Sequence, residues 1–208
     1  MIDAMDYNVR RFRSLTVALQ ELARYIRNGQ HLLTGPAFPQ FGDLRSREML
    51  ANWLLCAAAN TFTADHRFGF TTDPLGGDGI IVDELTGETW PTEHIIAYPG
   101  PGHPPPPDGN AFILQMIMQK HGRGADYARG KTLVVLAENV GAWNPTTLAR
   151  TLPDPLLFET VWVVGLHAGG DVGYSYDVVR LALPPAMEQR LRVTIAPDFT
   201  DWTVGPTG

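Results

Sequence analysis

Two acidic residues, Asp78 and Glu93, have the spacing of a pair that acts together. Asp78 follows two glycines in the stretch GGDGIIVD, and Glu93 lies in TEHI, fifteen positions further along the chain. A hairpin that turns near Thr86 and Gly87 places both acids at similar distances from the turn, so we expect approximate cross-strand neighbours. Neighbouring carboxylates repel unless a cation lies between them or one of them holds a proton. The pair therefore predicts a site for a divalent metal, Mg²⁺ or Mn²⁺, which takes one or two carboxylates and keeps several waters.

Strand alternation predicts what surrounds Glu93. In TEHIIAY, Glu93 shares one face of its strand with Ile95 and Ala97. The other face carries the alternate residues, Thr92, His94, Ile96 and Tyr98. His94 is therefore expected to point through the sheet, away from Glu93, although it is the next residue in the chain.

The alternative interpretation is that these acids only decorate a hairpin. Acidic residues beside a turn are common on solvated faces. We expect three others in the stretch, Asp83, Glu84 and Glu88, to be exposed to solvent. For Asp78 the run GGDG favours a functional role, because glycines cost chain entropy on folding. The sequence leaves both interpretations open.

Helical and strand periodicity predict the elements that must position the pair. Apolar residues recur at helical spacing from Phe12 to Ile26, before a stop at Asn28, and a second helix begins near Ser46, a suitable N-cap. A third helix follows a cap at Asn110, and its apolar residues on nearly every side predict burial deep in the core. The other predicted elements are strands over residues 67–72, 78–85, 90–98, 131–138, 158–166 and 174–183, and a short helix over 144–152. The tail from residue 196 is expected to be irregular.

This order predicts an α/β (α+β) fold with a mixed central sheet, a three-strand meander and flanking helices. The order of elements and acids resembles the PD-(D/E)XK nuclease superfamily, which has the restriction-endonuclease-like fold. The resemblance maps the first core helix onto residues 46–60, the aspartate that opens the second strand onto Asp78, and the acid of the third strand onto Glu93. It implies metal binding by these two acids and by Glu48, in SREMLANW, as a ligand from the helix.

The resemblance covers roughly residues 46–138 and sets the expected organisation of the chain. At 208 residues the chain fits a single domain. We expect a helical N-terminal segment over 1–45, a nuclease-like core over 46–138 and a C-terminal strand extension over 139–208.

One position departs from the family pattern. The third strand of these nucleases carries an acid, any residue and then a lysine, and the resemblance implies that the lysine helps to activate water and stabilises charge on the phosphate. Here Ile95 takes that place and can do neither. Lys120, on the following helix, is the residue that could reach back as a catalytic group. The alternative is that Lys120 only favours the C-terminal dipole of its helix.

Composition limits the partners of the chain. The net charge of −6 argues against bulk attraction to nucleic acid, and the chain has only two lysines, Lys120 and Lys131, beside 14 arginines. The histidines show no zinc-like spacing with one another or with Cys56, which lies in an apolar run and is expected to be a buried, inert thiol. No stretch approaches the ~20 apolar residues of a membrane helix. The charged N-terminus is unlike a signal peptide, so a cytoplasmic protein with no membrane partner is expected.

Two functions remain open from the sequence. The first is a metal-dependent nuclease that hydrolyses phosphodiesters of DNA or RNA, with Glu48, Asp78 and Glu93 on Mg²⁺ or Mn²⁺ and Lys120 as an electrostatic helper. The second is a catalytically inactive binding or assembly module of the same fold, which the isoleucine at position 95, the acidic balance and the absence of a basic cluster along the sequence favour. An unrelated α/β protein with incidental acids is a third alternative. The sequence is compatible with a homodimer.

Overall fold

A nine-stranded mixed sheet with helices on both faces is the framework of the described residues. The computed structural model describes residues 10–63, 65–182 and 189–207. The strands are β1 (Arg11–Phe12), β2 (Phe68–Thr71), β3 (Ile80–Asp83), β4 (Thr89–Ala97), β5 (Thr132–Ala137), β6 (Thr160–Gly170), β7 (Gly173–Leu181), β8 (Gln189–Ile195) and β9 (Trp202–Pro206). The helices are α1 (Leu15–Arg27), α2 (Gly29–Thr34), α3 (Ser46–Asn60), α4 (Gly109–His121), α5 (Ala125–Ala128) and α6 (Pro145–Arg150), with a 3-10 turn at Pro39–Phe41. The mixed α/β class expected from the sequence is confirmed.

The strands lie in the sheet in the order in which they occur in the chain. The pairs β4–β5 and β5–β6 are parallel, and every other neighbouring pair is antiparallel. The two parallel pairs need crossovers, which α4 with α5 and then α6 provide. No helix among the described residues is long and apolar enough to span a bilayer.

The C-terminal part of the sheet was only partly expected. The tail predicted to be irregular contains β9, which pairs antiparallel with β8, and β8 itself was not predicted. Trp202 of β9 packs edge-on against Trp53 of α3, with ring centroids 5.1 Å apart. The end of the strand predicted over 174–183, and residues 1–9 of the N-terminal segment, lie outside the described residues.

Two apolar cores lie on opposite faces of the sheet. Alternate residues of β5 divide between them: Val134 and Leu136 face α1 and α3, whereas Leu133 and Val135 face α4 and α6. All six residues of β5 are buried, as expected for a central strand. In β4, Ile95 and Ala97 belong to the α4 face and Ile96 to the α3 face, so the alternation predicted around Glu93 is confirmed at these three positions.

Helix α3 is buried along almost its whole length. Its predicted start at Ser46 is confirmed, but the predicted cap is wrong, because Arg45 is the N-cap and the buried Ser46 hydroxyl has no hydrogen-bond partner in the described residues. Glu48 closes the first turn by accepting the Arg45 backbone N–H at 2.8 Å. Cys56 is fully buried, as expected.

Helix α4 is not the deeply buried helix that its composition predicted. Only Gly109, Ile113 and Ile117 are buried, and Met118 is 41% exposed. The cap is Asp108 rather than Asn110, since the Asp108 carboxylate accepts the Ala111 N–H at 3.1 Å. Because α4 covers the sheet with one narrow stripe, its C-terminal end lies at the border between core and solvent, where a charged side chain can reach β4.

The β3–β4 turn contains a buried acid where an exposed one was expected. Asp83 is 1% exposed and accepts the N–H groups of Leu85 and Thr86, which organise the turn. The Arg67 guanidinium lies 3.1 Å from its other oxygen. Glu84 and Glu88 are exposed as expected. Asp83 therefore has a structural role in this turn.

Candidate active site

The β3–β4 hairpin places Asp78 opposite Glu93. Ile80 of β3 pairs with Pro91 of β4, and the ladder continues outward because the Thr92 N–H donates to the Gly79 carbonyl at 2.8 Å. Asp78 precedes β3, and extending the register by one residue beyond Gly79 and Thr92 would set it opposite Glu93, the approximate cross-strand placement expected from the sequence. The Asp78 carboxylate then replaces a backbone acceptor, since its Oδ2 accepts the His94 N–H at 2.7 Å.

Asn52 of α3 holds this part of the hairpin. Its side-chain amide donates to the Asp78 carbonyl at 3.0 Å, and its Oδ1 accepts the Thr92 hydroxyl at 2.9 Å. Gly79 has φ +134°, and a Cβ there would collide with the Asn52 amide. The glycine after Asp78 is therefore required by the close approach of the helix and by its backbone conformation. The sequence offered no signal for Asn52.

Glu93 is held by both lysines of the chain. Its Oε1 lies 2.6 Å from the Lys120 Nζ, and its Oε2 lies 3.6 Å from the Lys131 Nζ. Burial alone would raise the pKa of Glu93, but hydrogen bonds from Lys120 and Tyr127 and the charges of both lysines lower it below its ordinary value. Glu93 is thus ionised at neutral pH. Lys131 and Tyr127 were not predicted as site residues, although the scarcity of lysine was a signal for the first.

The pKa of Asp78 is shifted in the opposite direction to that of Glu93. Burial raises the pKa of Asp78 to about 7, and the negative charges of Glu48 and Glu93 act in the same direction. The His94 N–H and the Lys120 ammonium act against this rise and do not cancel it. A bound cation would relieve the repulsion between the Asp78 carboxylate and the two other carboxylates, which helps to keep its pKa near neutral.

Glu48 reaches the neighbourhood of Asp78 from the first turn of α3. Its Oε2 accepts the Arg45 N–H, and its Oε1 lies 3.8 Å from Arg47 and 3.9 Å from Arg45. The carboxylate is therefore already used as a helix cap and is close to two guanidinium groups. It acts on Asp78 through its charge.

His94 lies on the α3 face, beside these charges but without a partner. Both ring nitrogens are buried and make no hydrogen bond within the described residues. Burial lowers the pKa of His94 to about 3, and the positive charges of Lys120 and Arg47 act in the same direction, against the opposing charge of Glu93. The ring is therefore neutral across the ordinary pH range.

The three acids assigned to a metal from the sequence differ in how far their carboxylates are already engaged. In the described part of the chain no group of three or more His, Cys, Asp or Glu side chains has an arrangement that could hold a metal ion. Glu93 is engaged by two ammonium groups and Glu48 by its own helix, whereas the Asp78 Oδ1 accepts no hydrogen bond from a described residue. A cation shared with Glu93 would have to compete with the two lysines for its carboxylate.

The structure joins two of the residues that the sequence singled out, Lys120 and Glu93, whereas Glu48 acts on Asp78 only through its charge. Lys120 lies at Glu93, so it does more than favour the helix dipole, and Ile95 packs in the apolar core beneath α4. Comparisons with protein families, with curated proteins and with solved structures find no match for this chain. The chemistry of the site must therefore be argued from its own residues.

Proposed function

We propose that the protein is a divergent metal-dependent nuclease, which hydrolyses nucleic-acid phosphodiesters on a restriction-endonuclease-like core. The chain order α3, β2, β3, β4, α4, β5 supports this fold. Antiparallel pairs join β2 to β3 and β3 to β4, and β5 lies parallel to β4. A helix, a three-strand meander, a helix and a further strand are what the PD-(D/E)XK resemblance implies.

The observation that carries the proposal is the contact between Lys120 and Glu93, opposite Asp78. Ile95 has displaced the lysine that the family pattern expects on β4, but the Lys120 ammonium arrives at the same acid from α4. An ammonium group beside two carboxylates, one ionised and one titrating near pH 7, is a site that can stabilise negative charge and exchange a proton.

Each residue then has a distinct role. Asp78 would hold Mg²⁺ or Mn²⁺, and Glu93 and Glu48, the other two acids assigned from the sequence, would join it only by giving up their present partners. The bound ion would supply Lewis acidity and an activated water. Lys120 stabilises the negative charge that develops on the phosphate oxygens. Asp78 can accept a proton at its carboxylate near neutral pH, while the His94 N–H orients that carboxylate.

A cleavage assay tests this proposal. Purified protein is incubated with supercoiled DNA, single-stranded DNA and RNA, with Mg²⁺, with Mn²⁺ or with EDTA. We expect metal-dependent cleavage by the wild type, a loss of at least 100-fold in Asp78→Asn and Lys120→Met, and full activity in Glu88→Gln, an exposed acid of the same hairpin. No cleavage of any substrate by the wild type, or unchanged cleavage by Asp78→Asn, would reject the nuclease proposal.

The second candidate is a catalytically inactive nuclease-fold module that binds or assembles. It is favoured by the two lysines that already neutralise Glu93 and by the isoleucine in the motif position. Under this alternative the wild type binds an oligonucleotide or forms a homodimer, but never cleaves. Sedimentation equilibrium and oligonucleotide binding on the same preparation separate the two candidates.

A further inference from the structure

Three cations surround the side chain of Tyr127, next to the candidate active site. The Lys120 Nζ donates to the Tyr127 hydroxyl at 3.1 Å and the Arg123 Nη1 donates to it at 3.0 Å. The Lys131 Nζ lies 4.6 Å from the ring centroid and the Arg123 guanidinium carbon lies 4.8 Å from it. Lys120 contacts both Tyr127 and the candidate active site, because it also donates a hydrogen bond to Glu93. We call Lys120, Arg123, Tyr127 and Lys131 the tyrosine cluster.

The tyrosine cluster has an excess of positive charge. Among the described residues, the two lysines of the cluster form ion pairs with one acid, Glu93. Arg123 forms no ion pair with a described residue. The nearest acid in sequence, Asp126, pairs with Arg129 at 3.4 Å. The cluster therefore holds three cations, and a single carboxylate pairs with two of them, in a chain whose net charge is −6.

Packing alone does not account for this arrangement. Arg123 is exposed, and its guanidinium group contacts the hydroxyl and the ring face of Tyr127, which are both neutral. Its remaining N–H donors are therefore available to solvent or to a ligand. Like charges held together on a surface cost free energy unless an anion joins them. Arginine and lysine are the residues that bind phosphate groups, arginine through two parallel N–H donors and lysine as a point charge.

The position of the tyrosine cluster suggests which phosphate it takes. Lys120 links the cluster directly to Glu93, so an anion bound by Arg123 and Lys131 lies beside the acids and not in their place. In a nucleic-acid strand the phosphate next to the reacting one is in this position. Tyr127 is itself anchored, because its ring packs edge-on against Phe158 with centroids 6.3 Å apart.

We propose that Tyr127 is a positioning residue that holds Arg123 and Lys131, next to Lys120, as a binding site for a backbone phosphate of nucleic acid adjacent to the reacting phosphodiester. The inference rests on the proposed function for the identity of the ligand as nucleic acid. It adds the part of the substrate that the cluster binds, and the residues that bind it.

Fluorescence anisotropy in EDTA tests the proposal without requiring cleavage. The probes are labelled single-stranded DNA, double-stranded DNA and RNA of one sequence, titrated at several salt concentrations. For Arg123→Gln we expect about fivefold to tenfold weaker binding to every sequence, and a salt slope reduced by about 1. Arg123→Lys restores most of the affinity. Arg129→Gln, which removes an exposed arginine already paired with Asp126, stays within twofold of the wild type.

Two tyrosine variants test the positioning role. Tyr127→Phe keeps the ring beneath the cations and loses the hydroxyl contacts with Lys120, Arg123 and Glu93, so we expect a partial loss of affinity. Tyr127→Leu loses the ring as well as the hydroxyl and reduces the salt slope further. Thermal unfolding of each variant shows that the fold is retained. Unchanged affinity and slope in Arg123→Gln, or equally tight binding of poly-glutamate, would overturn the proposal.

The same measurements separate this inference from the nuclease proposal. If the protein never cleaves with Mn²⁺ but Arg123 still sets the affinity and salt slope, the nuclease proposal fails and the phosphate site stands. If the protein cleaves and Arg123→Gln binds like the wild type, the phosphate site fails and the nuclease proposal stands.

Discussion

The Lys120 ammonium lies 2.6 Å from the Glu93 carboxylate, although 27 positions of sequence and a proline-rich loop separate the two residues. Both side chains are largely buried, with 12% and 8% exposure. The contact joins α4 to β4 and brings one of the two lysines of the chain to the acid that faces Asp78.

Removing Lys120 tests how far this ion pair supports the fold. Lys120→Met leaves a buried carboxylate with the more distant Lys131, so we expect a loss of about 2 kcal/mol in the free energy of unfolding, less than for an isolated buried pair. Urea denaturation measures it. The double variant Lys120→Met, Glu93→Gln should recover part of the loss, because the uncompensated charge is gone. A double variant less stable than the single one would contradict this account.

The pH dependence of stability tests the state of Asp78. Its pKa is raised to about 7 in the folded protein, above that of the unfolded chain, so the folded state binds the proton more tightly. The contribution to stability is therefore full below about pH 4, is lost as the pH rises through 7 and stays lost above it. Asp78→Asn should remove this slope between pH 4 and 7 in urea titrations, whereas Glu88→Gln should keep it.

Metal binding should be coupled to proton release at Asp78. Below pH 7 a divalent ion must displace the proton on Asp78, so Mn²⁺ affinity should rise with pH up to about 8. Calorimetry in two buffers of different ionisation enthalpy measures the released proton. Asp78→Asn should abolish binding and Glu93→Gln should weaken it. Binding that is equally tight at pH 5 and pH 8 would place the metal elsewhere.

Asn52 should matter to the site beyond its contribution to stability. Asn52→Ala leaves the Asp78 carbonyl and the Thr92 hydroxyl with fewer partners, so we expect about 2 kcal/mol of destabilisation and a loss of Mn²⁺ affinity. Asn60→Ala is the matched control, because the same helix uses it to hold Phe68 through two hydrogen bonds. It should cost similar stability and leave Mn²⁺ affinity unchanged. Equal losses of affinity in both variants would show a general effect of unfolding.

His94 should be dispensable for the fold. Both ring nitrogens are buried and unpaired in the described residues, so His94→Leu should raise the free energy of unfolding by about 1 kcal/mol. The same variant should bind Mn²⁺ as the wild type does, since the Asp78 carboxylate uses the backbone N–H of residue 94. A destabilised His94→Leu would contradict this expectation.

Local pattern predicted the hairpin and its two acids well. Register in a hairpin follows from alternation and from the position of the turn, so Asp78 and Glu93 could be paired before any coordinates were known. The same local rules failed at Asp83, which the pattern placed in solvent. There the buried carboxylate pairs with Arg67, the residue before β2, which lies far from the turn in sequence.

The sequence by itself determined the mixed α/β class and most of the helices and strands, and it predicted Asp78 and Glu93 as approximate cross-strand neighbours, because these depend on periodicity and turn position within short segments. Only the tertiary structure decided that both lysines converge on Glu93, that Asn52 holds Asp78 and that three cations meet at Tyr127. Those contacts join α3, α4, α5 and the start of β5 to one hairpin. Their physical origin is the packing of helices on opposite faces of a shared sheet, which spacing along the chain does not encode.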